Sequence, residues 1–109
     1  MDRDERIGLN EAVFREVNER ISDLAESFGL EGQPLDLVCE CGDPNCVERI
    51  SMARADYEKL RSEPTHFAVY PGHTKGDIED VIDRRDGYLV VRKHEGDPAQ
   101  VARETDPRS

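Results

Sequence analysis

CECGDPNC, at residues 39–46, is the stretch of this 109-residue chain that decides its fold. It contains all three cysteines of the sequence, and four residues that favour turns separate the second cysteine from the third. Thiolates this close together suit a soft or borderline metal ion, whereas three cysteines cannot all pair within one chain. We therefore predict that this stretch provides three metal ligands and that a fourth comes from elsewhere.

Short strands are predicted on both sides of the cysteine stretch, over residues 35–39 and 47–52. Side chains two positions apart in a strand point the same way, so Cys39 and Cys41 can face one ion. A turn between them and Cys46 brings the third thiol back to the same point. The sequence thus predicts a hairpin that carries metal ligands, as in a zinc knuckle.

The fourth ligand must be one of three histidines, His66, His73 or His94. We choose His73, because it follows a Pro-Gly pair at the end of a predicted strand, where an abrupt turn can direct its imidazole back to the hairpin. His66 precedes that strand, and His94 follows two basic residues at the end of the last strand. For both of these we expect a solvated position.

The set Cys39, Cys41, Cys46 and His73 predicts a closed, structural zinc site, because four protein ligands leave no position for water. Three thiolates around a divalent ion carry a net charge of −1, which requires backbone N–H donors or a nearby cation. Arg49 is the nearest basic residue in the sequence. Without His73, the open position can hold water, and the same cysteines then suit a metal-dependent enzyme.

A long amphipathic helix is predicted over residues 7–28, with Gly29 at the position of a left-handed cap. Asn10 occupies one position of its apolar stripe. The stripe comprises Ile7, Phe14, Val17, Ile21, Leu24 and Phe28. We favour packing of this stripe on a sheet, since Leu9 and Val13 broaden it; the alternative is a homodimer through a heptad seam.

The remaining segments predict a short helix that ends before Pro64, a strand over residues 67–70, and a hairpin with strands over residues 81–83 and 88–91 around an Asp-Gly turn. The fold class is therefore α+β. A long N-terminal helix packs on a small, mostly antiparallel sheet with a zinc-knuckle-like hairpin. We divide this single domain into a helix (1–31), a metal-stabilised core (32–95) and a flexible tail (96–109) with at most one helical turn.

The charge of the chain limits its partners. Its formal net charge is −10, which repels nucleic acid and anionic membranes and favours a protein partner. Arg84-Arg85 and residues 92–94 form the one predicted basic patch, which we interpret as a solvated face. The charged N-terminal segment indicates neither a signal peptide nor a transmembrane helix, so a cytoplasmic location is expected.

The C-x-C-x4-C pattern is followed by Pro-Gly-His at residues 71–73 and preceded by NEAVFREVNER at residues 10–20. This combination resembles a group of short, uncharacterised bacterial proteins with no established activity. The resemblance covers most of the chain, and it implies the grouping of the three cysteines with His73 without implying an activity.

We therefore predict a small cytoplasmic zinc-binding protein that acts as a protein-interaction or regulatory module. The sequence has no glycine-rich phosphate loop and no His-Glu-x-x-His motif, so a role other than catalysis is favoured. The alternative is a metal- or thiol-dependent enzyme, or a redox sensor, that uses the same cysteines.

Overall fold

The computed structural model describes residues 2–30 and 32–108, and in these ranges it contains three helices and five strands. In chain order they are α1 (Arg3–Ser27), β1 (Leu35–Val38), β2 (Arg49–Met52), α2 (Arg54–Arg61), β3 (His66–Val69), β4 (Glu79–Arg85), β5 (Tyr88–Lys93) and α3 (Asp97–Glu104). The α+β class is as predicted. Each of these helices is too short or too polar to span a bilayer.

The strands form two antiparallel sheets where the sequence predicts one. Strands β1 and β2 pair with Leu35 opposite Met52, and β5 lies between β3 and β4 in the second sheet. Both predicted hairpins are confirmed, including the turn between β4 and β5, where Gly87 has a φ of 86°. Side chains alternate as half-buried strands require: in β1, Leu35 and Leu37 are buried and Asp36 is exposed.

Helix α1 packs on the core through a polar face. Its buried residues are Glu11, Arg15, Asn18 and Ser22, which recur every three or four positions. Half of the predicted apolar stripe is exposed to solvent, namely Val17, Leu24 and Phe28. Our interpretation that this stripe packs on the sheet is wrong for these three residues. Ile7, Phe14 and Ile21 are partly buried, and Ile21 contacts the core.

The buried polar side chains of α1 form hydrogen bonds and ion pairs with residues from distant parts of the chain. The Lys93 ammonium donates to Glu11 and Glu79 at 2.5 Å each, and all three side chains are buried. The Arg15 guanidinium donates to the carbonyls of Pro64 and Ala102 and lies 4.3 Å from the centre of the Phe67 ring. A buried charge is retained only when it is paired in this way.

The buried Lys93 also changes the predicted basic patch. Its ammonium lies under α1 and cannot join a surface with Arg92 and His94. Arg85, at the other end of that predicted patch, pairs with Asp56 and Asp83. The solvated face that we predicted is therefore smaller and more nearly neutral than the sequence indicates.

The predicted C-terminal tail contains helix α3, which is longer than the single turn that we expected. Its residues Ala99 and Ala102 are buried. Helix α3 packs on α1 where Gly8 leaves room: a Cβ at Gly8 would lie 2.6 Å from Cγ1 of Val101. Because Gly8 has no side chain, the two helices can approach closely at this crossing. The apolar pattern of residues 97–104 is too short to predict helix α3 from the sequence.

Candidate metal centre

The structure brings the four predicted ligands together. One ligand atom from each of Cys39, Cys41, Cys46 and His73 can be chosen so that all four lie within 4.8 Å of one another. His73 Nδ1 is 3.8 Å from Cys39 Sγ and 3.5 Å from Cys46 Sγ. In a tetrahedral zinc site with Zn–S bonds of about 2.3 Å, ligand atoms are about 3.8 Å apart. The spacing of the four residues is compatible with a bound metal ion.

Local hydrogen bonds form the cysteine loop. The Cys39 N–H donates to the Glu48 carbonyl at 3.1 Å and extends the β1–β2 hairpin. The Asp43 carboxylate accepts from the Asn45 N–H at 2.9 Å, and the Asp43 carbonyl accepts from the Cys46 N–H at 3.0 Å. These are the turn interactions that Asp and Asn favour, so the chain itself directs Cys46 back toward the first two thiols.

A second turn directs His73 at the thiols. The His73 N–H donates to the Tyr70 carbonyl at 3.0 Å, Gly72 takes a φ of 91°, and the Tyr70 ring meets the imidazole edge-on with centroids 5.5 Å apart. The other two histidines lie elsewhere. His66 pairs opposite Arg92 in the β3–β5 ladder, and His94 Nε2 is 3.1 Å from an Asp80 oxygen.

The thiols are polarised by one another and by backbone donors. A hydrogen bond from the Cys39 thiol lowers the pKa of Cys41 to about 4, and the same bond, together with burial, raises the pKa of Cys39. The Tyr70 N–H donates to Cys39 Sγ at 3.1 Å. Burial raises the pKa of Cys46. The pKa of the Cys41 thiol thus lies below that of Cys39, and the cluster includes a backbone donor of the kind that stabilises metal-bound sulfur.

Lys75 is a cation that contacts the loop directly. Its ammonium donates to the Cys41 carbonyl. Arg49, which the sequence suggests for this role, is directed instead at the carbonyls of Leu37 and Asp36 and pairs with the Asp36 carboxylate. Arg49 is close to the cysteines in sequence, but it lies on β2, and its side chain extends across the hairpin to β1 instead of toward the thiols.

Glu40 is a residue of the centre that the sequence does not reveal. It stands between the two cysteine ligands and is fully buried. Its carboxylate accepts from the Ala68 N–H and from the Asn18 amide, both at 2.9 Å, and burial raises its pKa. The Asn18 side chain also pairs with the N–H and the carbonyl of Val38. This polar clamp ties the loop to α1 and β3.

The loop also touches α1 directly. The Asn10 amide donates to the Gly42 carbonyl at 3.0 Å. Gly42 has a φ of 82°, and a Cβ there would lie 2.9 Å from Glu11 Cγ and 3.0 Å from the Ile7 carbonyl oxygen. Both the backbone conformation and the close approach of the helix require glycine.

No protein-family model, curated protein or solved structure matches this chain. The chemistry of the cluster is therefore the guide to its function. Three thiols and one imidazole are the donors that zinc prefers, whereas magnesium and calcium take oxygen ligands. The donor set fits a zinc-like ion.

One side of the centre faces a groove of about 580 Å³. Arg3 and Arg6 of α1 line it together with Lys75, and Cys41 and His73 form part of its floor. Cys39 and Cys41 are buried, while Cys46 and His73 are partly exposed. Solvent molecules and small solutes can therefore approach the cluster from this side.

Proposed function

We propose that this chain is a cytoplasmic zinc protein in which Cys39, Cys41, Cys46 and His73 hold one structural zinc ion, and that it serves as a protein-interaction or regulatory module. The observation that carries the zinc proposal is the distance of His73 Nδ1 from two cysteine sulfurs, 3.8 and 3.5 Å. An imidazole and three thiols converge in this way at a tetrahedral zinc ion.

The position of the site in the fold supports a structural role. The cysteines belong to the β1–β2 hairpin, and His73 follows β3 of the other sheet. An ion held by all four residues would cross-link the two sheets. A domain of 109 residues has a modest core and gains much from such a cross-link, because the free energy of metal binding adds to that of folding.

The surface supports the interaction role. The net charge of −10 disfavours phosphate backbones and anionic lipids as partners, while the outer face of α1 exposes large apolar side chains to solvent. A polar, acidic surface with one apolar face suits a protein partner better than a small-molecule substrate.

Elemental analysis combined with thiol titration tests the zinc proposal. We expect one zinc ion per chain after purification without added metal, and thiols that react with a disulfide reagent only after a chelator removes the ion. A chain that is free of metal and has rapidly reacting thiols would overturn the proposal.

A thiol-dependent enzyme or redox sensor is the second candidate, and the groove beside the cluster favours it. Cys41 and the partly exposed His73 line this groove together with the cations Arg3, Arg6 and Lys75. Peroxide treatment of the zinc-loaded chain separates the two functions. A sensor would form a disulfide and release the ion at low peroxide excess, whereas a structural site would keep both its thiols and its zinc.

A further inference from the structure

The outer face of α1 is an apolar surface without a partner among the described residues. We define the outer stripe as Leu9, Val13, Val17, Leu24 and Phe28, all of them exposed. Val13 is 59% exposed, Leu24 57% and Phe28 74%. Successive members lie four positions apart except between Val17 and Leu24, where Arg20 takes the intermediate position. The stripe therefore runs along one side of the helix, opposite its polar inner face.

The outer stripe is large enough for a specific interface. Helix α1 has 25 residues and is about 37 Å long at a rise of about 1.5 Å per residue. Together with Leu30, which is exposed just beyond Phe28, the stripe presents on the order of 500 Å² of apolar surface, near the upper limit for a monomer. Two such stripes in contact bury about 1,000 Å², the lower bound of a stable protein interface.

The charges on this face are complementary to those of a second copy in one orientation. Arg20 lies within the stripe and Glu16 lies beside it; within one chain they form an exposed contact of 3.3 Å, which contributes little to stability. A parallel pair of helices would place Arg20 against Arg20. An antiparallel pair places Arg20 of each copy beside Glu16 of the other. The repulsion between the two arginines is then avoided, and two ion pairs form between the copies.

The ends of α1 favour the same orientation. Asp4 and Glu5 lie in the first turn, whereas the last turn has no basic residue. In an antiparallel pair, Arg6 of one copy lies near the C-terminal end of α1 in the other, where a cation is stabilised by the helix dipole.

We propose that a second copy of this chain covers the outer stripe, forming an antiparallel pair of α1 helices with the two-fold axis between Val17 and Arg20. In this register, Leu9 packs on Phe28 and Val13 on Leu24 of the second copy. This inference names the partner of the interaction module proposed above, and it does not depend on the metal.

Light scattering on the full-length, zinc-loaded chain over a range of concentrations tests the proposal. We expect a particle of twice the 12.4 kDa chain mass. Leu24→Glu should raise the dissociation constant at least tenfold, while Ile82→Glu, at an exposed apolar position on β4, should leave it unchanged. A chain that stays monomeric at the highest concentration overturns the proposal, as does a dimer that survives both Leu24→Glu and Val13→Glu.

Charge exchange tests the orientation. Arg20→Glu and Glu16→Arg should each weaken the dimer, and the double variant should restore it, because the ion pair re-forms with opposite polarity. A double variant weaker than either single variant contradicts the antiparallel arrangement. Zinc content measured on the same samples keeps the two proposals apart: a monomer that retains zinc overturns the dimer alone, and a dimer without zinc overturns the structural metal site alone.

Discussion

The Nδ1 atom of His73 lies 3.5 Å from the Sγ atom of Cys46, although 27 positions separate the two residues. Cys46 closes the loop between β1 and β2, whereas His73 belongs to the turn after β3. This one contact therefore joins the two sheets of the domain. It also means that loss of a bound ion should loosen both sheets together.

Replacing His73 by alanine should weaken zinc retention and lower the melting temperature, because one of four ligands is lost. We expect zinc affinity to fall by at least tenfold, measured by competition with a coloured chelator. His94→Ala is the matched control, since His94 lies beside Asp80 away from the cluster. Equal zinc affinity in the two variants would remove His73 from the coordination sphere.

Gly42→Ala should destabilise the fold by about 3 kcal/mol, because it combines a left-handed backbone with a collision against α1. Gly87→Ala has a similar φ of 86° and nothing within 4 Å of its Cβ, so it should cost only about 1 kcal/mol. Urea unfolding of both variants measures the difference. Similar losses of stability would mean that the helix does not restrict the cysteine loop.

Asn18→Ala should cost about 3 kcal/mol, because it leaves the Val38 backbone and the Glu40 carboxylate without their partner in a buried position. Asn10→Ala, which removes a single partly buried bond to Gly42, should cost about 1 kcal/mol. Thermal unfolding of the two variants at one pH makes the comparison. If Asn18→Ala proves the milder change, the polar clamp is not a determinant of stability.

The contribution of Glu11 to the stability of the fold should fall as pH rises from about 5.5 to 8. Burial raises the pKa of Glu11 to about 7, above its ordinary value of 4.5, so the folded chain holds a proton that the unfolded chain releases. This stability is present below the unfolded pKa and is lost as pH rises through the folded one, by roughly 2 kcal/mol over this range. Zinc binding by thiols strengthens as pH rises, so this contribution is measured as the difference in unfolding free energy from a variant at residue 11, with zinc equally in excess for both chains.

Glu11→Gln isolates this effect. Lys93 then pairs with Glu79 alone, the buried charges balance, and the contribution of residue 11 to the pH dependence disappears. The difference in unfolding free energy between the native chain and the variant should therefore change by the same 2 kcal/mol between pH 5.5 and 8. A constant difference would show that Glu11 does not titrate in this range.

Local patterns predicted those parts of the fold that depend on near neighbours. The alternation in β1, the Asp-Gly turn before Tyr88, and the turn residues between Cys41 and Cys46 each act within a few positions, so the sequence alone locates both hairpins. The convergence of the three cysteines with His73 was predicted for the same reason, because their directions follow from strand alternation and from one abrupt turn before His73.

The supports of the site could not be predicted in this way. Nothing in the order of residues marks Glu40 as buried, since its partners Asn18 and Ala68 lie 22 and 28 positions away. Burial of a carboxylate is tolerated only when such donors are in place, and they come into place only when α1 and β3 pack around the loop.

The sequence by itself determined the class of the fold, the length and periodicity of α1, and the four residues that converge at the candidate metal centre. Only the tertiary structure decided which side of α1 is buried. A periodic pattern shows which residues share a face, but the burial of Glu11 and Arg15 depends on Lys93, Pro64 and Ala102, which lie far along the chain. Their pairing made the polar face the inner one and left the outer stripe exposed to solvent.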